Sequence, residues 1–343
     1  MDEPEIIGTP FQSPAFVEAW SATRGRVLGN DAWCLVAGKA ELPLDIVRFG
    51  PLRIARFPGE THANANGWRL PPGAAAPQLS RKALIAAATS AGLRIDAFDL
   101  RRIHDATWLG GEFSVTAAFE ERFAISLAGG LQAVLERGNA KRKRKKFRSQ
   151  ERYFAERGGY RFLDVARPDR AGALAVFLEQ KRQRFAVLGM PDPFAEKATD
   201  AFLKTLFDHP AADTRLYVIE SGGTFRALLG GIVEGETFWG MFSSFADDGD
   251  AAISPGELLL WHMVETLSAE GLAVLDLGPG EERYKRSWCD RTVPQVDALL
   301  ALTLRGRAYL GLARARLAMV DRVKRNDRLR ALIQRLRRTL QRA

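Results

Sequence analysis

SPGELLLWHMVETLSAEGLAVLDLGPGEERYKRSW, residues 254–288, is the stretch from which the rest of the chain can be read. Its periodicities predict a capped helix, a short buried strand, a glycine turn and a second helical segment. Ser254 and Glu257 have capping-box spacing, and Pro255 falls at the first helical position. Leu260, Val264 and Leu267 recur at helical spacing, and Gly271 closes the helix. Residues 273–277 form an apolar run short enough for a buried strand. Gly256 is costly inside a helix, by roughly 1 kcal/mol against alanine. It leaves the first-turn N–H groups open to an approaching anion, although tolerance for packing would also explain it.

Three pieces of this stretch carry a resemblance: Ser254-Pro255-Gly256, Asp276-Leu277-Gly278-x-Gly280 and Tyr284-Lys285-x-x-Trp288. Together they resemble the signature of the BcsL/CelD-like acetyltransferases of the GNAT superfamily, often associated with cellulose or exopolysaccharide production. The resemblance extends more weakly over residues 9–304. It implies an α/β protein of two tandem GNAT-like halves with mixed sheets, related to the Fem-type aminoacyltransferases that build peptidoglycan cross-bridges. It also implies an acyl-CoA donor, acetyl-CoA first, held by Ser254, Gly256, Glu257 and Leu258. Glu257 is awkward there, because its charge would repel a phosphate. The usual Gln/Arg-x-x-Gly-x-Gly/Ala pattern is absent.

Acyl transfer from a thioester needs a cradle for the donor, an amine that loses a proton and a thiolate that gains one. Tyr284 is the candidate proton donor, with packing beside Trp288 as the alternative. Lys285 would bind a phosphate or an oxyanion, or be a surface lysine. Asp276 would orient an amine or Lys285. Arg184, in the helix-end run of residues 181–185, and Trp239 are candidate substrate contacts. A helix-end charge cluster favouring the dipole would explain that run equally.

The composition narrows the field. A chain of 343 residues, 46% hydrophobic, suits two domains with a sizeable core. Two cysteines, Cys34 and Cys289, give no disulfide framework or metal cluster and read as buried thiols. No phosphate loop, nucleophile elbow or His-Glu-x-x-His motif occurs, and no metal is expected. An acidic N-terminus without an apolar run, and no span of roughly 20 apolar residues, make a cytoplasmic location the default. The net charge of +9 is uneven: residues 137–152 carry +8 and residues 305–343 carry +11, leaving −10 elsewhere. Local basic contacts follow from this pattern rather than a uniform polyanion-binding shell.

Four segments are expected. Residues 1–130 form a first half with a Ser13-capped helix, strands at 32–37, 42–49, 52–57, 95–100 and within 119–127, and a helix at 80–91. The Asn- and Gly-rich loop at 59–73, with His62, Asn64, Asn66 and Trp68, is functional or merely connecting. Residues 131–158 form one basic connecting helix, either a phosphate clamp or a solvated face. Residues 159–305 form the second half, which carries the donor site. Residues 306–343 form a basic amphipathic helix with a stripe of Leu329, Leu332, Ile333, Leu336 and Leu340. That tail suits an anionic membrane surface at the inner membrane, a partner, or the protein's own acidic face. The acceptor would be a sugar or envelope precursor. A transferase drawing on aminoacyl-tRNA, bound by the basic helix, and a non-catalytic membrane or partner adaptor are the rival readings.

Overall fold

The computed structural model describes residues 8–118, 120–248, 251–280 and 282–325, with side chains to 315. In chain order, α1 (Pro14–Trp20) begins at Ser13, whose hydroxyl accepts from Phe16 N at 3.3 Å. Strands β1 (Asp31–Ala37), β2 (Ala40–Phe49) and β3 (Leu52–Arg56) follow as an antiparallel meander. After the 59–73 loop come α2 (Arg81–Ser90), β4 (Ala97–Ile103), β5 (Ser114–Ala117) and β6 (Arg122–Ser126). Helices α3 (Gly130–Glu136) and α4 (Ala140–Ala155) lead to β7 (Arg161–Asp164), α5 (Arg170–Leu188) and α6 (Lys197–Asp208). Then follow β8 (Thr214–Ser221), β9 (Thr224–Glu234), β10 (Thr237–Phe245), α7 (Pro255–Ala269) and β11 (Val274–Pro279). The described chain ends with α8 (Arg283–Trp288), β12 (Arg291–Val293), β13 (Val296–Ala301) and α9 (Leu304–Arg325).

Among the described residues the strands form two mixed sheets, ordered β1-β2-β3-β4-β13-β5 and β12-β6-β11-β10-β9-β8-β7. Each sheet takes a strand from the far part of the chain. β6, before the connecting helices, pairs with β11 and β12. β13, near the end of the second half, pairs with β4 and β5. The sheets therefore do not divide at residues 130 and 159. One face of the second sheet packs on α1, α5 and α6 through Phe16, Phe177, Phe202 and Leu206. The other face lies under α7 through Leu258, Met263 and Val264.

Several expectations need correction. The helix expected over 131–157 is two helices. Gly138 and Asn139 break it, because the Asn139 side chain accepts from Arg142 N at 3.0 Å and so caps a new start. Cys34 is exposed on edge strand β1; only Cys289 is half-buried, its thiol pushed up to about 12 by burial. The tail does not begin as a separate surface helix. Leu310 is buried with Ile54, Ala97 and Leu299, and the Tyr309 hydroxyl donates to Asp99 at 2.8 Å. The stripe of Leu329 to Leu340 lies outside the described residues. No described helix is long and apolar enough to cross a membrane.

Candidate active site

The site follows from a pair of strands that part. β10 and β11 are parallel and joined through α7, but they pair only over Thr237–Trp239 and Val274–Asp276. Beyond those residues β10 runs on to Phe245 alongside β9, with a bulge between Gly240 and Phe242. β11 runs on to Pro279 alongside β6, with its own register shift. Bulges bend a strand away from its neighbour. The result is an opening at the carboxyl ends of two parallel strands, beside the start of the crossover helix, where open α/β sheets bind ligands. Gly240 lets the strands approach before they separate, since a Cβ there would lie 2.9 Å from the Asp276 carbonyl oxygen.

Where strands part, backbone carbonyls lose partners. Asn64, from the 59–73 loop of the first half, supplies them: its Nδ2 donates to Gly240 O at 2.8 Å and Met241 O at 3.4 Å. The same amide would strike a Cβ at Gly278, whose φ is +72°. Gln295 then donates to Asn64 O at 2.9 Å. The loop is thus built into the base of the opening.

Tyr284 stands across this opening. Its hydroxyl hydrogen-bonds with Ser243 on β10, and burial raises the phenol well above its usual pKa. Lys285, the next residue, is 3% exposed and points the other way. Its ammonium donates to Pro279 O at 2.8 Å and Gly278 O at 3.3 Å and pairs with Glu282 at 3.0 Å. It therefore holds the Gly278–Gly280 turn to α8. Asp276 is equally buried. Its Oδ1 accepts from Gly278 N at 2.8 Å, and its Oδ2 lies 2.9 Å from Arg122 Nε on β6. Burial pushes this carboxyl up, against the pull of Arg122. Neither Lys285 nor Asp276 offers a group to the opening.

The donor-side residues are distributed unevenly. A Cβ built at Gly256 would meet nothing within 4 Å, so the first turn of α7 faces open space. The expected capping box does not form. Ser254 adopts a left-handed φ of +60°, and its side chain makes no cap bond. Glu257 reaches instead to Lys146 on α4, Oε1 to Nζ 2.6 Å. Leu258 is fully buried in the core and can offer only backbone. Trp239, a candidate substrate contact, is buried against Phe11 with Arg122 stacked 4.7 Å over its ring, which leaves no surface for a substrate. Arg184 lies on α5 at the far end of β10, 3.8 Å from Asp247 and 5.4 Å over Phe245. One turn earlier, Lys181 lies near Glu282 and Lys285, its ammonium destabilised by burial.

Sequence reasoning missed Ser243, Arg122 and Lys181. Nothing local marks the first two, because strand exchange and a bulge bring them in. Lys181 lay inside the 181–185 run but was not separated from Arg184. No group of three His, Cys, Asp or Glu side chains is placed to hold a metal among the described residues.

Residues 141–286 match the family model described as an acetyltransferase (GNAT) domain. This part of the chain is therefore similar to GNAT acetyltransferase domains. No curated relative matches the sequence. Solved structures share the fold at low identity. The structure called FemX has a TM-score of 0.57 at 10% identity, covering 86% of this chain and 93% of its own. A conserved protein of unknown function from Bacteroides thetaiotaomicron gives 0.55 at 12%, covering 83% and 90%. The C-terminal domain of a protein described as a lysylphosphatidylglycerol synthetase, from Agrobacterium fabrum, gives 0.50 at 13%, covering 87% and 96%. The fold is thus of the tandem GNAT-like kind.

Proposed function

We propose that the protein moves an acyl group from an acyl-CoA, acetyl-CoA in the simplest case, to an amine or hydroxyl of a sugar or cell-envelope precursor. The observation that carries this reading is the opening between β10 and β11, with Tyr284 bonded across it to Ser243. The acceptor nitrogen or oxygen attacks the thioester carbon, the C–S bond breaks, the thiolate takes the Tyr284 proton, and the proton that the acceptor loses returns to the phenolate. A phenol keeps its proton at neutral pH, and the burial that raises its pKa makes proton transfer to the thiolate depend on how closely the leaving sulfur approaches it. Lys285 and Asp276 act behind it, by fixing the turn and helix that aim Tyr284. An acceptor has room in a cleft of about 470 Å³ lined by Glu179, Gln180, Thr224, Ala246 and Asp247. Within this cleft the Ser244 hydroxyl of β10 donates to Gln180 at 2.6 Å. The exopolysaccharide or cellulose connection rests on the motif resemblance, as does attachment of the tail to an anionic inner-membrane surface.

A Fem-type transferase using aminoacyl-tRNA is the second reading. The exposed face of α4, with Lys141, Arg142, Lys145 and Arg148, favours it. Phe147 is not available for base stacking, because it packs on Trp261 at 4.1 Å. A thermal-shift screen of acetyl-CoA, longer acyl-CoAs and aminoacyl-tRNA separates the two, since a ligand that binds only the native state raises the melting temperature. A shift with acyl-CoA supports the first reading. A shift with aminoacyl-tRNA alone replaces it with the second.

A further inference from the structure

We propose that β1 is a docking edge for a second copy of this chain, whose own β1 pairs with it antiparallel about a twofold axis. The inference lies outside the acyl-CoA reading, because β1 belongs to the first sheet and the β10–β11 opening to the second.

Among the described residues the two sheets end on four edge strands, β1, β5, β7 and β12. The last three are short, at four, four and three residues. Short edges, charges, prolines and bulges are how sheets avoid pairing with other chains. β1 has none of these protections along its length. It runs seven residues, DAWCLVA, keeps one register along β2 and carries no charge after Asp31. Its outward bonding groups can be assigned. On β2, Glu41 N donates to Arg69 O at 3.0 Å and Arg69 N donates to Glu41 O at 2.8 Å, so the Glu41 backbone bonds away from β1. Glu41 stands opposite Val36, and Pro43, which has no N–H, stands opposite Cys34. Bonding alternates along an antiparallel pair, so β1 bonds β2 through Leu35 and Ala37. Ala32, Cys34 and Val36 therefore turn their N–H and C=O groups outward. The same three residues are exposed, Val36 at 60%. A row of free backbone groups among small and apolar side chains is a template for another strand.

The ends of β1 select its own copy and set the register. At one end Arg48 donates twice to Asp31 Oδ2, and Oδ1 receives no bond among the described residues. Past the other end Lys39 is exposed at the turn into β2. A twofold interface sets one patch against itself, so that residue i meets j and j meets i. With Leu35 opposite its counterpart, Cys34 faces the second copy's Val36, and Asp31 comes opposite the second copy's Lys39 at both ends. Sliding one ladder step either way brings Asp31 opposite Ala37 or Glu41, which loses the attraction or turns it into repulsion. A ladder of seven residues covers less area than an obligate dimer needs, so the association depends on concentration.

Sedimentation velocity of the full chain over a dilution series tests this. The wild type should pass from dimer to monomer on dilution. Val36→Lys sets an ammonium from each copy into the seam and should leave monomer throughout, melting as the dilute wild type does. Asp31→Lys and Lys39→Asp should each weaken self-association roughly fivefold or more, as two attractive end pairs become repulsive. Mixed in equal amounts, those two variants restore opposite charges at both ends and should associate as tightly as the wild type. The mixing experiment decides the matter even where Val36→Lys unfolds. A wild type that stays monomeric at its highest soluble concentration, a dimer that withstands Val36→Lys, or single variants that gain no association on mixing overturns the inference.

Discussion

Tyr284 and Lys285 are adjacent in sequence and opposite in surroundings. The tyrosine reaches across the β10–β11 opening to Ser243, while the lysine is sealed against the carbonyls of its own turn. Their substitutions should fail differently. Tyr284→Phe keeps the ring and loses the proton, so turnover should fall roughly 100-fold or more with donor affinity nearly unchanged. A thiol-release assay beside a donor titration checks this, and full turnover would remove the tyrosine from the chemistry. Asp276→Ala leaves Arg122 buried without its counter-charge, so the expected loss is stability, about 3–5 kcal/mol. Urea unfolding measures it. An unchanged midpoint would mean that the pair is dispensable. The motif was legible at this scale but the roles were not. Asp276, Tyr284 and Lys285 stand in one short stretch of sequence, yet only the burial of two of them shows which supports and which can act.

At the scale of elements, the sequence marked helices and strands where periodicity was strong and failed where a single side chain decided the local path. Ser13, Pro14 and the 214–245 strands lie where turn chemistry and alternation place them. The connecting helix broke because Asn139 caps better than it propagates, and no apolar period marks that break. The capping box at Ser254 failed because Lys146, 111 residues away, competes for Glu257. Such long-range pairing leaves no trace in a local window. The short β5 and β12, of four and three residues, carry too little pattern to be seen. The start of α9 likewise turns out to be core. Deleting residues 307–343 would remove the Tyr309 and Leu310 contacts and should therefore lower the melting temperature by several degrees, as a buried-leucine loss of about 2–5 kcal/mol implies. Deleting residues 326–343 should spare it. Differential scanning calorimetry of the two truncations distinguishes these outcomes; equal melting would mean that α9 is not part of the first half's core.

The whole molecule is held as one unit by exchange. β6 and β13 each complete the other half's sheet, and the 59–73 loop of the first half closes the opening in the second. His62 sits at this joint, packed among Trp20, Phe194 and Phe202. Burial, with Arg24 and Arg102 nearby, depresses its pKa to about 4, and Glu196 opposes them only in part. Between pH 6.5 and 4 the unfolded chain binds the proton that the folded chain refuses, so stability falls as pH drops through that window. This one residue should account for about 2 kcal/mol lost by pH 5. His62→Phe should flatten the dependence of urea midpoints on pH, and an unaltered slope would place the titration elsewhere. The central claim is that the start of α7 and the adjoining strand opening hold an acyl-CoA. Calorimetric titration of acetyl-CoA into the wild-type chain and Gly256→Val addresses it most directly, because the added side chain enters open space and should block the donor without disturbing the core. The account predicts one site per chain in the wild type and at least tenfold weaker binding in Gly256→Val at an unchanged melting temperature; no binding to the wild type, or equal binding to both, would contradict it.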